Sequence, residues 1–177
     1  LGFFNDSATQ VYELKRLATI EESLGNIDIA IGDISQAIHI DPEDPTLLEE
    51  LDRLLGAAGK DDERIQLWHH EAQRLDDGVK RAKALSKAAA LAEAIGRHDD
   101  ALAALRAAWV AAPGDSELLD QLSRLMSPAP TEELDREVRA LIELYSQAAA
   151  ATRDQGRRVA YLEKVAVLWE ELVGDQL

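Results

Sequence analysis

The chain repeats its own pattern at long intervals, and this repetition limits the folds that it can adopt. Residues 11–42 and 82–113, which are 71 positions apart, carry matching apolar, glycine and proline residues. The same interval relates the segments PTLLEELDRLLG and SELLDQLSRLMS, and an interval of 77 relates IQLWHHEA to IELYSQAA. A period that contains about two hairpins predicts stacked helical hairpins, each packed on its neighbours, instead of one central core.

Each hairpin of the pattern consists of two helices joined by a glycine. In the segment from Ala82 to Asp115, apolar residues recur at i, i+3, i+4 and i+7, which is the spacing of one helix face. Gly96 tolerates the positive φ at which a helix ends, and Pro113 prevents the second helix from continuing. The sequence therefore predicts an antiparallel hairpin here and an all-α chain of about nine helices.

The segment 82–115 resembles the tetratricopeptide repeat (TPR), a helix–turn–helix unit of 34 residues. Counted from Ala82, Gly96 lies at the turn of the family pattern, while Leu85 and Ala92 replace two residues that are usually aromatic. The other matching residues are Ala89, Ala101, Leu105, Ala108 and Pro113. The resemblance implies a right-handed α-solenoid of antiparallel hairpins that acts as a non-enzymatic scaffold for protein–protein interaction.

The repeat predicts a single TPR-like domain over residues 1–177, which we expect to be a fragment of a longer repeat protein. The expected hairpins are 8–42, 45–76, 79–113, 116–152 and an incomplete 155–177.

The fourth helix departs from the family pattern, because Arg64 and Glu71 stand at positions of the tight interhelical seam. Burying these charges without partners would be costly, so we expect an apolar stripe shifted by one residue. Phe3 and Phe4 are expected to cap the first hairpin, the SPAP segment to end the seventh helix, and Thr131 to begin the eighth. The expected stripe of the fourth helix is Ile65, Trp68, Ala72 and Leu75.

Charge and composition narrow the class of partner. The chain has 34 acidic and 19 basic residues, a formal net charge of −15, whereas nucleic acids and anionic lipids are bound by basic surfaces. No stretch approaches the ~18 apolar residues of a membrane-spanning helix, and a chain without cysteine forms no disulfide. We expect a protein or peptide partner, no nucleic acid and no membrane insertion. The compartment stays open, with the cytoplasm favoured.

No catalytic, cofactor or metal site is expected. His69, His70 and Glu71 are adjacent in sequence, but consecutive helical residues point about 100° apart, so the two imidazoles do not converge on one ion. The motif spacings of phosphate-binding loops, dinucleotide folds, zinc proteases, hydrolases and EF-hands do not occur. Paired carboxylates are interpreted as solvated helix surface.

The TPR resemblance implies that the first helix of each hairpin faces a concave groove and contacts the partner. Some members hold a terminal carboxylate with lysine and asparagine, but here Lys15 is followed one turn later by Thr19, so that clamp is not expected. The groove positions are relatively rich in basic residues, which predicts a partner segment with acidic side chains. The candidate partner-binding residues are Tyr12, Lys15, Arg16, Thr19, Glu49, Arg53, Lys83, Lys87 and Arg124.

An alternative function is structural: the repeats would serve as a spacer or self-assemble through their terminal helices. The ninth helix matches the first helix of a hairpin, and its partner helix would begin near Asp175. We expect an open apolar edge there and a weak homodimer formed through it. The expected stripe on that helix is Leu162, Val165, Ala166, Trp169 and Val173.

Overall fold

The computed structural model describes residues 6–126 and 134–174, with the side chains of residues 138–170 in the second range. The two ranges contain nine α-helices and no β-strand, which confirms the predicted fold class of consecutive helical hairpins. The helices are α1 (Ser7–Ser23), α2 (Ile27–Ile40), α3 (Pro45–Ala57), α4 (Asp61–Arg74), α5 (Gly78–Ala94), α6 (His98–Ala111), α7 (Ser116–Leu125), α8 (Leu134–Ala151) and α9 (Gln155–Gly174).

Some sequence predictions concern residues outside the described ranges: the cap formed by Phe3 and Phe4, the SPAP segment, and the start of a helix at Thr131. The side chain of Val173, which belongs to the row expected on α9, lies outside the described side chains as well. Within those ranges, none of the helices combines the length and the apolar character that crossing a bilayer requires.

The apolar stripe predicted for α4 is confirmed. Ile65, Trp68 and Ala72 are buried, and Leu75 is half-buried. Arg64 lies beside the stripe, where its Nε donates to Asp52 Oδ1 at 2.9 Å. The ion pair avoids the desolvation cost that an unpaired guanidinium would carry in the interhelical seam.

Glycine ends the first helix of two matching hairpins in the same way. Gly25 (φ 81°) and Gly96 (φ 77°) lie 71 residues apart in the left-handed conformation, which glycine adopts without steric cost. In both turns the amide that follows the glycine donates to the carbonyl four residues before the glycine, at 2.8 Å. This bond satisfies a carbonyl that the helix end would leave without a partner, and it turns the chain back towards the next helix.

Aspartate begins three of the helices. The side chains of Asp44, Asp77 and Asp115 accept hydrogen bonds from backbone amides of α3, α5 and α7 at 2.8–3.0 Å. Hydrogen bonds from the hydroxyl and the amide of Thr46 hold the pKa of Asp44 below its ordinary value. Caps of this kind typically stabilise a helix by about 1 kcal/mol.

The first compact unit, Leu1–Leu67, is called the N-terminal unit here. In its described part, α1 packs on α2 and α2 packs on α3. One of its hydrophobic clusters is aliphatic and consists of Ala18, Ala30, Ile34, Leu51, Leu54 and Leu55. A second cluster joins Val11 of α1 to Ala37 of α2 and Leu47 of α3. Burial of such side chains supplies about 1.5–3 kcal/mol for each large residue.

The second compact unit, Trp68–Leu177, is called the C-terminal unit. Its helices pack in sequence, α5 on α6, α6 on α7, α7 on α8 and α8 on α9. The residues buried in α5 and α6 are mostly alanine, which lets two helices approach closely. At Gly78 the approach leaves no room for a side chain, because a Cβ there would overlap the carbonyl oxygen of Ala111. That both units belong to one domain stays a prediction.

Candidate protein-interaction surface

An open cleft of about 460 Å³ lies along α1 in the N-terminal unit. Four of the predicted partner-binding residues line it together, because positions 12, 15, 16 and 19 share one face of the helix. Tyr12 is 60% exposed, so its ring is available to a bound segment. The lining residues are Ala8, Val11, Tyr12, Lys15, Arg16, Thr19 and Asp44.

The polar groups of this cleft are held in place by short contacts. Lys15 Nζ donates to Thr46 Oγ1 at 3.0 Å and lies 4.0 Å from Asp44 Oδ2. The guanidinium of Arg16 lies 5.8 Å from the Tyr12 ring centroid, an aromatic–cation contact. The cleft therefore presents an oriented ring and two cations, each with a carboxylate nearby: Asp44 at 4.0 Å from Lys15 and Glu13 at 3.3 Å from Arg16.

Arg53 and Arg124 are engaged in ion pairs that occupy matching places in the two units. Arg53 donates to both oxygens of Glu22 at 2.7 and 2.6 Å, which joins α3 to α1. Arg124 donates to both oxygens of Glu93 at 2.6 and 2.8 Å, which joins α7 to α5. Both members of the second pair lie 71 residues after those of the first. We call them the cross-hairpin ion pairs.

The cross-hairpin ion pairs shift the pKa values of all four charged groups. The hydrogen bonds from Arg53 and from Arg124 lower the pKa of Glu22 and Glu93 respectively, and the same bonds raise the pKa of both arginines. Arg53 also bonds to Glu50 at 2.7 Å. Bidentate pairing fixes the guanidinium plane, so these arginines connect successive first helices.

The two lysines predicted on α5 differ in their surroundings. Lys83 is exposed and has no hydrogen-bond or ion-pair partner among the described residues. Lys87 holds its ammonium 3.9 Å from the ring centroid of Trp68, which is only 6% exposed. Glu49, the remaining predicted residue, is exposed on α3. Lys83 is thus the predicted lysine with the least constrained side chain.

A further contact joins α9 to α7 in the C-terminal unit. Lys164 Nζ donates to Tyr145 Oη at 3.2 Å and lies 3.7 Å from Asp120 Oδ1. Tyr145 Oη in turn lies 2.7 Å from Ser123 Oγ on α7. The tyrosine contact raises the pKa of Lys164, with Asp120 adding to it. The sequence interpretation did not single out Lys164.

A second cleft, of about 390 Å³, lies between α6 and α8 in the C-terminal unit. Trp109 forms part of its wall and donates to Gln147 Oε1 at 3.3 Å. Val110 borders it and is 79% exposed. This cleft lies on second helices of the hairpins and was not predicted. Among the described residues, His, Asp and Glu side chains form no group of three that could hold a metal ion.

Comparison with known proteins gives a fold and no closer relationship. No protein-family model matches the sequence, and no curated protein matches it. A tetratricopeptide repeat protein from Parabacteroides merdae matches 95% of this chain and 67% of its own, with 14% identity and a TM-score of 0.50. MamA from Desulfovibrio magneticus matches 94% of this chain over 97% of its own length, with 15% identity and a TM-score of 0.47. A thermophilic TPR protein from Thermus thermophilus matches 88% of this chain over 99% of its own length, with 21% identity and a TM-score of 0.37.

Proposed function

We propose, since the chain is a TPR-like helical repeat protein by fold, that it is a non-enzymatic scaffold that binds a protein or peptide segment. The fold is of the kind that serves as a protein-interaction scaffold. The binding surface in this proposal is the first-helix face, which a TPR-like solenoid turns towards its concave side. The supporting observation is that Tyr12, Lys15, Arg16 and Thr19 line one open cleft.

The proposed partner carries acidic side chains next to an apolar or aromatic residue. In the N-terminal unit, Lys15 and Arg16 line the same cleft as the exposed Tyr12 ring, which suits such a pair. In the C-terminal unit, Lys83 offers a cation with no carboxylate partner among the described side chains. Because the whole chain is acidic, the basic positions act by local contrast and orient the segment more than they raise its affinity.

Arg53 and Arg124 have a different role in the proposal. Each is committed to a carboxylate of the neighbouring first helix, so a partner would have to displace Glu22 or Glu93 to bind it. We therefore assign them to spacing the first helices, while Tyr12, Lys15, Arg16, Lys83 and Lys87 carry recognition. A nucleic-acid partner is not proposed, because the chain has a formal net charge of −15, whereas phosphates are bound by concentrated basic surfaces.

The test starts from a display library of random 16-residue peptides selected against the whole chain. Selected peptides are then measured by fluorescence anisotropy against Tyr12→Ala and Lys83→Glu. The proposal expects weaker binding by one or both, most visibly at low salt, since exposed charges are screened by ions. Arg106→Glu, an equal charge reversal on α6 beside the second cleft, is the matched control. Peptides that lose affinity only for Arg106→Glu would place the site on the second helices.

Self-assembly as a structural module is the second candidate. The observation that favours it is the apolar surface of α9, where Leu162 is 51% and Trp169 43% exposed. The two functions use different surfaces of the chain and are compatible.

A further inference from the structure

The second cleft, between α6 and α8, lies away from the first-helix surface. It has a volume of about 390 Å³, and its walls belong to the second helices of two successive hairpins of the C-terminal unit. Both helices are packed on their neighbours, α6 on α5 and α7, and α8 on α7 and α9. The second cleft is therefore open between two complete hairpins, inside the repeat and not at an end of the sequence.

The floor of the second cleft is apolar, and a hydrogen bond crosses it. Trp109 and Met126 are 4% and 3% exposed, and Leu144 is half-buried. Trp109 Nε1 on α6 donates to Gln147 Oε1 on α8 at 3.3 Å, which joins the two walls. The cleft is thus formed before a ligand binds, as binding sites usually are.

The rims of the second cleft carry one cation, one anion and one exposed apolar side chain. Arg106 on α6 is exposed and has no hydrogen bond or ion pair with a described residue. Glu143 on α8 is exposed and accepts a hydrogen bond from the neutral amide of Gln147 at 3.3 Å. Val110, on the α6 rim, is 79% exposed. The opposite charges therefore lie on opposite walls, and no ion pair among the described residues neutralises either of them.

The positions that form the floor also pack together in the N-terminal unit. There Ile38 and Leu67 lie against the aliphatic cluster that contains Leu55. The corresponding residues of the second cleft, 71 or 77 positions later, are Trp109, Leu144 and Met126. An apolar floor is thus common to both copies and by itself indicates packing between hairpins.

The rims distinguish the second cleft from its counterpart in the N-terminal unit. The residues at the matching positions are Ser35, His39 and Gln66 in the N-terminal unit and Arg106, Val110 and Glu143 in the second cleft. A hydroxyl, an imidazole and an amide are thus replaced by a guanidinium, an isopropyl group and a carboxylate. Because the same kind of hairpin forms with either set, hairpin packing does not require the rim residues of the second cleft.

We propose that the second cleft binds an amphipathic helix of a partner protein, which carries an acidic residue on one edge of its apolar stripe and a basic residue on the other. The stripe covers Val110 and Leu144, since a groove between two helices accepts the side-chain ridge of a third. The acidic edge faces Arg106, and the basic edge faces Glu143. These charges also set the direction of the bound helix, because reversing it would bring like charges together.

A display library of 16-residue alanine-based helical peptides, randomised along the stripe and both edges, tests this proposal. Peptides are selected against the whole chain and measured by fluorescence anisotropy. Arg106→Glu should weaken their binding about two- to fivefold, the effect of an exposed ion pair. Val110→Asp should weaken it further, because it sets a carboxylate against the apolar stripe. Lys83→Glu, an equal charge reversal on α5 of the same unit, is the matched control and should leave the affinity unchanged.

A charge exchange tests whether Arg106 contacts the acidic edge. Replacing the acidic residue of a selected peptide by lysine should lower its affinity for the wild type and raise its affinity for Arg106→Glu. Because Arg106 and Val110 are exposed, circular dichroism should show unchanged helicity in their variants. Selected peptides that lack the acidic and the basic edge, or an exchanged peptide that does not regain affinity for Arg106→Glu, would overturn the charge assignment.

The indole of Trp109 reports where a peptide binds. The chain has three tryptophans, so the indole N–H signal of Trp109 can be assigned by its loss in Trp109→Phe. A peptide in the second cleft should shift this signal, whereas a peptide that depends on Tyr12 or Lys83 should leave it unmoved and supports the first-helix proposal alone. A selection without peptides that depend on both Arg106 and Val110, or such peptides without an effect on the Trp109 signal, would overturn the second site.

Discussion

The two compact units share their connections and differ in the surfaces that they present. Glu22 and Arg53 in the N-terminal unit and Glu93 and Arg124 in the C-terminal unit form the same bidentate pair between successive first helices. The glycine turns and the aspartate caps recur at the same interval. These features set the geometry of a hairpin and its distance from the next one.

The outward positions of the first helices have changed between the units. Tyr12, Lys15, Arg16 and Thr19 of α1 correspond to Lys83, Ser86, Lys87 and Ala90 of α5. The ring-and-cation cleft of the N-terminal unit thus becomes a lysine surface in the C-terminal unit. The comparison separates two kinds of residue: those repeated in both units connect hairpins, and those that differ are where recognition is expected to differ.

The largest loss of stability should come from substitution of the repeated leucines. Leu51 and Leu122 occupy matching positions on α3 and α7 and are 8% and 0% exposed. Substitution of either by alanine should lower the free energy of unfolding by about 2–5 kcal/mol, because it leaves a cavity as well as removing buried surface. Leu122→Ala should cost more, since Leu122 is the more deeply buried. Urea denaturation measures both, and a smaller loss for Leu122→Ala would contradict the ranking.

The repeated glycine turns should respond equally to substitution. Gly25→Ala and Gly96→Ala each force an L-residue into the left-handed region, which costs about 1–2 kcal/mol. A Cβ at either position meets no atom within 4 Å, so no steric clash adds to the backbone cost. Thermal and urea denaturation should show similar losses for the two variants. Losses that differ by more than the experimental error would mean that the turns are not equivalent.

Substitution of the two lysines of α5 should distinguish an effect on stability from an effect on peptide binding. Lys87→Glu removes the ammonium above Trp68 and should lower the free energy of unfolding by roughly 0.5–2 kcal/mol. Lys83→Glu removes no hydrogen bond or ion pair with a described residue, so it should change the free energy of unfolding by less than about 0.5 kcal/mol. Both substitutions should weaken the binding of an acidic peptide selected on the wild type, and the loss should be larger at low salt. Equal stability of the two variants would argue against a stabilising lysine–tryptophan contact.

The smallest expected change in stability comes from the cross-hairpin ion pairs, and it depends on pH. Their arginines hold the pKa of Glu22 and Glu93 below the ordinary value of 4.5. A carboxylate with a lowered pKa in the folded state contributes stability above the unfolded value and loses it as the pH falls through the folded value. Stability should therefore decline below about pH 4.5, and this part of the decline should be absent from the Glu22→Gln, Glu93→Gln double variant. Chemical denaturation between pH 7 and 3, at low and high salt, measures the difference.

The sequence predicted the elements of the fold because the signals for them are local. The helix stripes follow from apolar spacing, and the turns follow from glycine at positions such as Gly25 and Gly96. The stripe of α4 was also predictable, since the alternative register would have buried Arg64 in the seam. Each of these inferences depends on residues within one or two helices.

The side-chain contacts at the surface were harder to predict from the sequence. The family pattern places Arg53 and Arg124 on a partner-facing helix, but it does not show that Glu22 and Glu93 lie within reach of them. The 71-residue interval between the two glutamates, together with that between the two arginines, was a usable signal. For α9, the expected open row included Val165, which instead packs against α8, because periodicity alone does not fix the rotation of a helix within a few tens of degrees.

The placement of the cross-hairpin ion pairs has a consequence for the growth of such a chain. Glu22 and Arg53 are 31 residues apart, so both fall inside a single 71-residue block of the repeat. Duplication of that block copies an acid together with its own base, in register, and leaves the existing pairs intact. A chain lengthened in this way would carry a matched ion pair at the first-helix contact inside each added block without a further substitution.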